Sequence, residues 1–211
     1  MKKILLLISL LLPSLMQSQN IKDVFINMPD SMCLLLTKNN RADFADFLES
    51  NMRAQVKNKF ENMSEMKTLT KDYLLLETTS ASTLQMKLLP VNDSVNVICA
   101  VETYNGPASD SHISFYSTDW KDLPMSDFIT LPSVDVFLQV SDTIDIEKRN
   151  LALKKADMSL IKADLSPDSQ TLIFIYTTID YLDKDSSEEL CSFLKTDPVV
   201  YEWRNGHFIT K

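Results

Sequence analysis

Apolar and polar positions alternate from Leu84 onward, with Leu84, Met86 and Leu88 separated by Gln85 and Lys87. A period of two predicts a strand with one buried and one wet face. Val95 to Thr103 is more continuously apolar and rich in β-branched residues, which suits a strand nearer the middle of a sheet. The two arms meet at Asn92-Asp93, so Leu84 to Tyr104 reads as a hairpin around which the rest is arranged.

Upstream the period changes. Phe44, Phe47, Leu48, Met52, Val56 and Phe60 recur at three- and four-residue steps, which predicts an amphipathic helix over 41–60. Asn39-Asn40 or Asp43 can cap it. Met28-Pro29-Asp30-Ser31 reads as a turn before it. Strands follow in Thr68 to Thr78 and, after a turn at Asn105-Gly106-Pro107, in His112 to Ser117. The second half predicts a helix over 147–158 and strands in Ser159 to Leu165 and Thr171 to Asp180. A helix starting at Ser186 follows, then a hairpin of 199–203 and 207–210 around Asn205-Gly206.

Helices followed by strands joined through short turns predict an α+β fold, with N-terminal helices packed on an antiparallel β-meander. Phe128-Ile129-Thr130-Leu131-Pro132 matches Phe25-Ile26-Asn27-Met28-Pro29 in type and order. The expectation is therefore two similar helix-plus-sheet units, 20–120 and 121–211, closely packed together. Their arrangement is similar to the tandem units of the β-lactamase-inhibitor-protein type of fold, an analogy that says little about a target.

Composition narrows the function. The 211 residues are 45% hydrophobic and 24% charged, which places the chain among globular proteins and not disordered ones. Residues 1–19 carry Lys2 and Lys3 before the apolar run Ile4 to Met16, the pattern of a secretory signal. No transmembrane segment is expected once that signal is removed. Its removal leaves 19 basic against 29 acidic residues, so nucleic acid is excluded as a partner class. With Gly106 and Gly206 the only glycines, no phosphate-cradling or dinucleotide loop can form, and no cofactor is expected. Cys33, Cys99 and Cys191 all sit in apolar surroundings and read as buried small hydrophobes, with one disulfide at most.

Asp110-Ser111-His112 holds the residue types of a hydrolase triad, but neighbours on a strand point to opposite faces. Asp180, Asp183, Asp185, Glu188 and Glu189 are dense enough for a cation but lack the glycine turn that curls ligands around one point. They suit the start of a helix instead, and no metal site is expected. Tyr104, Tyr116, Trp120, Tyr201 and Trp203 fall on the later strands of the two halves. On an uncovered sheet face they would form a binding surface; on a covered one they would be core.

One resemblance is specific. Asp23-Val24-Phe25, Met28-Pro29-Asp30-Ser31, Asn39-Asn40-Arg41, the run Leu84 to Cys99, Gly106-Pro107-Ala108 and Phe115-Tyr116 before Trp120-Lys121 resemble an uncharacterised family of exported Bacteroidales proteins, domain of unknown function 3256. The resemblance covers essentially all of 20–211. It implies a periplasmic or outer-envelope location and brings no site residues. In that setting Asp30-Ser31-Met32, Asp93-Ser94-Val95 and Asp142-Thr143-Ile144 match a short O-glycosylation acceptor pattern at Ser31, Ser94 and Thr143. The function expected is a non-enzymatic binding or assembly factor whose partner is an envelope protein or glycan. The alternative is a secreted hydrolase with a site dispersed over Glu102, Asp110 and His112.

Overall fold

A computed structural model describes residues 20–142 and 144–211; the expected export signal and Thr143 lie outside the described residues. Asn20 caps a short helix, α1 (Ile21–Ile26), by accepting the Asp23 N–H. The second helix, α2 (Lys38–Glu49), begins at Thr37, whose hydroxyl accepts the Asn40 N–H while the Asn40 side chain accepts the Thr37 N–H. This reciprocal capping places the start before the expected Asn39-Asn40 or Asp43.

The helix also ends earlier than its periodicity predicts. Asn51 is left-handed, at φ 54°. Its N–H bonds Leu48 O, and the Met52 N–H reaches back to Phe47 O. That pair of bonds is the Schellman stop, and asparagine tolerates its left-handed position. Met52 and Phe60 are thereby exposed, while Val56 passes into a strand.

Seven strands then form one antiparallel sheet in sequence order: β1 (Gln55–Lys57), β2 (Met63–Leu69), β3 (Tyr73–Thr79), β4 (Ser82–Pro90), β5 (Asn96–Asn105), β6 (Ser109–Ser117) and β7 (Asp122–Leu123). The β4–β5 hairpin is as expected, with Leu84 opposite Glu102 and Leu88 opposite Ile98. Past two 3-10 turns come α3 (Ile146–Lys155), β8 (Ile161–Leu165), β9 (Thr171–Tyr176), α4 (Lys184–Cys191), β10 (Val199–Arg204) and β11 (His207–Thr210). These four strands make a second antiparallel sheet, ordered β11-β10-β9-β8. The protein is therefore α+β. Asn205 at φ 52° and Gly206 at φ 79° make the tight turn expected between β10 and β11.

The expected copies differ. Phe25-Ile26 lies in α1, whereas Phe128-Ile129 follows a 3-10 turn, and the sheets have seven and four strands. The halves share one interior. One face of the large sheet (Leu74, Leu76, Met86, Ile98, Ala100) packs on α1 and α2. The other (Tyr73, Leu89, Val97, Cys99, Val101, Ile113, Phe115) packs on Leu165, Leu172, Phe174, Tyr201 and Trp203 of the small sheet.

That second face is where alternation along β4 misleads. Gln85 and Lys87 are 7% and 1% exposed, buried between the sheets instead of facing water. Burying them is tolerable because they are satisfied. Gln85 Oε1 accepts the Leu165 N–H and its amide donates to Asp164 Oδ1, both at 3.0 Å. Lys87 Nζ lies 3.2 Å from Asp72 Oδ2 and from Pro167 O, and 5.6 Å from the centre of the Tyr73 ring. Ser111 Oγ takes the Ala163 N–H at 2.9 Å and Asp110 Oδ1 takes the Ile161 N–H at 3.2 Å. The edge of β8 that has no partner strand is thus closed by side chains of β4 and β6.

Candidate binding groove

Where α1 and α2 stop covering the large sheet, a groove of about 220 Å³ opens between the 32–35 segment and the adjoining ends of β3, β4 and β5. Its walls are Met32, Leu34, Leu35 and Leu84, and its rim carries Thr78, Thr83, Glu102 and Tyr104. Two large apolar side chains, Leu34 and Tyr104, stand out of the surface at the groove, and a third, Phe60, stands out of the turn joined to its wall. Leu34 is 71% exposed, Phe60 70% and Tyr104 60%. Each is held there by fixed backbone.

Leu34 is fixed through Arg41 of α2, which is 1% exposed. Its guanidinium donates to Leu36 O at 2.9 Å and Met28 O at 2.5 Å, and pairs with Asp30 Oδ1 at 3.0 Å. A planar fork with five donors is suited to gather several acceptors. Here it ties both ends of the 28–36 loop to one helix. Cys33 lies beside that guanidinium; burial pushes its thiol up, with Arg41 opposing, so the groove wall is uncharged there.

Phe60 is fixed through Asn58. This buried amide accepts the Phe60 and Asn62 N–H groups at 3.0 and 3.2 Å and donates to Ser64 Oγ at 3.2 Å. Ser64 in turn donates to Thr78 O at 2.6 Å, at the groove rim. Lys59, next to Phe60, gives its N–H to Leu35 O at 2.9 Å, which joins the turn to the groove wall. Tyr104 is fixed by its place on β5, with Ser82 and Asp110 as its cross-strand partners. Ordinarily such residues turn inward to lose apolar surface. Their outward display on immobilised backbone gives a partner apolar contacts without an ordering cost.

Comparison with known proteins now has a geometry to attach to. A family model described as "Protein of unknown function (DUF3256)" matches residues 14–208. The chain belongs to that family. A solved domain of an uncharacterised protein from Porphyromonas gingivalis W83 is similar to it, with 25% identity and a TM-score of 0.80 over 90% of this chain and 97% of that one. No curated protein matches.

In this DUF3256 protein the five expected surface aromatics do not form one surface. Tyr104 is exposed at the groove. Tyr116 is half-buried, its ring 5.5 Å from that of Trp120. Trp120 is buried at a positive φ of 62° and its indole N–H donates to Val24 O at 3.0 Å. Tyr201 and Trp203 are core residues on the small sheet. Trp203 donates to Pro90 O at 2.7 Å, stacks with Phe115 and Phe128 and meets Phe208 edge-on. Their strands are covered on the aromatic side, so hydrophobic burial draws the rings inward.

The dispersed hydrolase residues fare differently. Glu102 and His112 are cross-strand neighbours, both exposed. Glu102 lines the groove, whereas His112 lines a separate hollow with Phe115, Tyr116 and Leu123. Asp110 closes the β8 edge. Among the described residues no three His, Cys, Asp or Glu side chains stand together to hold a metal ion. In the acidic run, Asp183 caps α4 by accepting the Ser186 N–H, and the Ser186 hydroxyl first, with that N–H second, holds its carboxyl below its usual range. The expected cap at Ser186 is therefore displaced by three residues. Cys33 and Cys99 are buried and Cys191 is exposed, all as free thiols. Burial pushes the Cys99 thiol far up. Ser31 and Ser94 are both exposed, in the turn before the groove and at the β4–β5 tip. No described helix is long and apolar enough to cross a membrane.

Sequence reading missed Leu34 because it lies in no periodic segment, and Phe60 because its spacing assigned it to the buried stripe of the overlong helix. The available signal was local: two large apolar residues in turns, Phe60 between Lys59 and Glu61 and Leu34 after Pro29 to Ser31.

Proposed function

We propose that this protein is a non-enzymatic binding or assembly factor of the bacterial envelope, acting after export into the periplasm or at the outer envelope. The observation that supports the reading is the trio Leu34, Phe60 and Tyr104, each largely exposed on pinned backbone, Leu34 and Tyr104 lining one groove and Phe60 in the turn bonded to its wall. The lining is mainly aliphatic, with Met32, Leu34, Leu35 and Leu84, which favours a protein side chain over a sugar as the occupant. Ser31 and Ser94, with Thr143, are read as O-glycan acceptors. Native protein should then carry an intact-mass increment that shrinks in Ser31→Ala and Ser94→Ala; native protein at its bare polypeptide mass overturns that assignment.

Capture from envelope extract tests the main reading. The wild-type protein should recover one partner in stoichiometric amount, and a Leu34→Asp/Phe60→Ser variant, changed only at exposed positions, should not. Recovery of no groove-dependent partner, together with turnover in a broad hydrolase screen, would replace the reading with the enzymatic one.

A further inference from the structure

Resting on that reading, we infer that the groove takes an extended basic peptide: an aliphatic or aromatic side chain enters the cavity, and a nearby lysine or arginine lies over Tyr104 beside Glu102. The register of the large sheet carries this. Residues two apart on a strand share a face, so Glu102 and Tyr104 of β5 point the same way. Asp110 of β6 stands directly opposite Tyr104. An exposed phenol ring thus stands on one face with the exposed Glu102 carboxylate.

A ring face attracts a cation through its quadrupole, and a carboxylate on the same face adds Coulomb attraction. Among the groove's lining residues Glu102 is the one that is ionised, the rest being apolar or carrying hydroxyl, thiol or phenol groups. Asp110 is turned to the β8 edge, where its carboxylate accepts the Ile161 N–H, and its charge adds only to the wider negative field. The whole chain carries a formal charge of −8, which steers a basic partner inward from a distance.

The spacing follows from strand geometry. Glu102 and Tyr104 both stand at the groove rim, about 7 Å apart along β5. An extended peptide covers that distance in two residues. The recognised pattern is therefore an apolar residue with lysine or arginine two positions away, a spacing that puts both side chains on one face of the bound strand.

The test is a positional-scanning library of immobilised hexapeptides probed with the purified wild-type protein and with Glu102→Gln, Tyr104→Ala and Leu34→Asp. The expected result is selection of an apolar residue two positions from lysine or arginine. Retention should fall about tenfold in Tyr104→Ala and by a similar factor between about 20 and 300 mM salt. Free arginine ethyl ester should compete far more weakly than the selected peptide, because it lacks the apolar side chain. Selection of apolar peptides with no basic preference, lost in Leu34→Asp but unchanged in Glu102→Gln and Tyr104→Ala, overturns this inference and leaves the binding reading standing. Retention of no peptide by the wild-type protein above the Leu34→Asp background overturns both.

Discussion

On the face of the large sheet turned toward the small one, Gln85, Lys87 and Thr103 are buried. On the opposite face of the same strands Glu102, Tyr104 and His112 stand in solvent. The difference lies in what covers each face. The small sheet lays the edge of β8 across β4, β5 and β6, and side chains of β4 and β6 take its N–H groups at Ile161, Ala163 and Leu165. Helices α1 and α2 cover only part of their face. Polar groups on the covered side lock two sheets together; groups on the uncovered side are left in solvent.

The largest expected effect comes from Arg41, which decides how far the helical layer reaches. Arg41→Met keeps the aliphatic volume but leaves Met28 O and Leu36 O without their donor, together with Asp30. Each unsatisfied buried acceptor costs about 1–3 kcal/mol, so a loss of about 3 kcal/mol or more is expected in urea denaturation, with partner capture lost alongside. A loss below about 1 kcal/mol would show that the 28–36 loop is not held by this residue.

Next comes the interlock between the sheets. Gln85→Leu leaves the Leu165 N–H buried and unpaired, at an expected cost of about 1–3 kcal/mol, while partner capture is retained because the groove lies on the other face. Tyr73 reports on the same seam. Burial and the nearby Asp164 carboxylate push its phenol up to about 12. Its neutral form is favoured in the folded protein, so this contribution to stability is lost as pH rises from 10 toward 12. Absorbance titration should find one tyrosine ionising well above the usual phenol range, and Gln85→Leu, which removes a hydrogen bond that lowers that value, should not bring it back.

A smaller effect belongs where the small sheet stops. On β2 the same face bears Glu65, which pairs with Arg53 at 2.8 Å and Lys67 at 3.1 Å and accepts from Gln55 at 2.8 Å. The Arg53 guanidinium above all holds its carboxyl down from 4.5 to about 2. A carboxylate with a depressed pKa contributes stability that is fully present above 4.5 and disappears as pH falls toward 2. Thermal unfolding should therefore show a shallower decline across that window in Glu65→Gln than in the wild type. Parallel declines would mean that the cluster adds nothing beyond screened surface charge.

How much of this was legible follows from what periodicity encodes. The β4–β5 hairpin and the Asn205-Gly206 turn were readable because alternation and turn chemistry are local. Alternation says that Gln85 and Leu84 face opposite ways; it does not say that a second sheet covers Gln85. The overlong helix fails for a related reason. Met52, Val56 and Phe60 continue the spacing of Phe44 and Leu48, but Asn51 has already stopped the chain with two backbone bonds. Trp120, Tyr201 and Trp203 read as surface or core with equal right until their coverage is known. The groove was invisible because its residues meet only after Arg41 and Asn58 have folded two turns onto the sheet.

The smallest effect on stability is the one that most sharpens the contrast between the faces. Tyr104 is 60% exposed at the end of β5, and removing its ring takes little apolar surface out of a packed environment. Tyr104→Ala should shift unfolding by no more than about 0.5 kcal/mol, as for an exposed position away from core, caps and networks, while abolishing or strongly weakening capture of the partner. Trp203→Ala is the control, because its indole packs in the buried aromatic cluster and donates to Pro90 O. A cost of about 3–5 kcal/mol is expected there. Should Tyr104→Ala also cost more than about 1 kcal/mol, the ring is serving the fold, and the uncovered face is then a second structural surface.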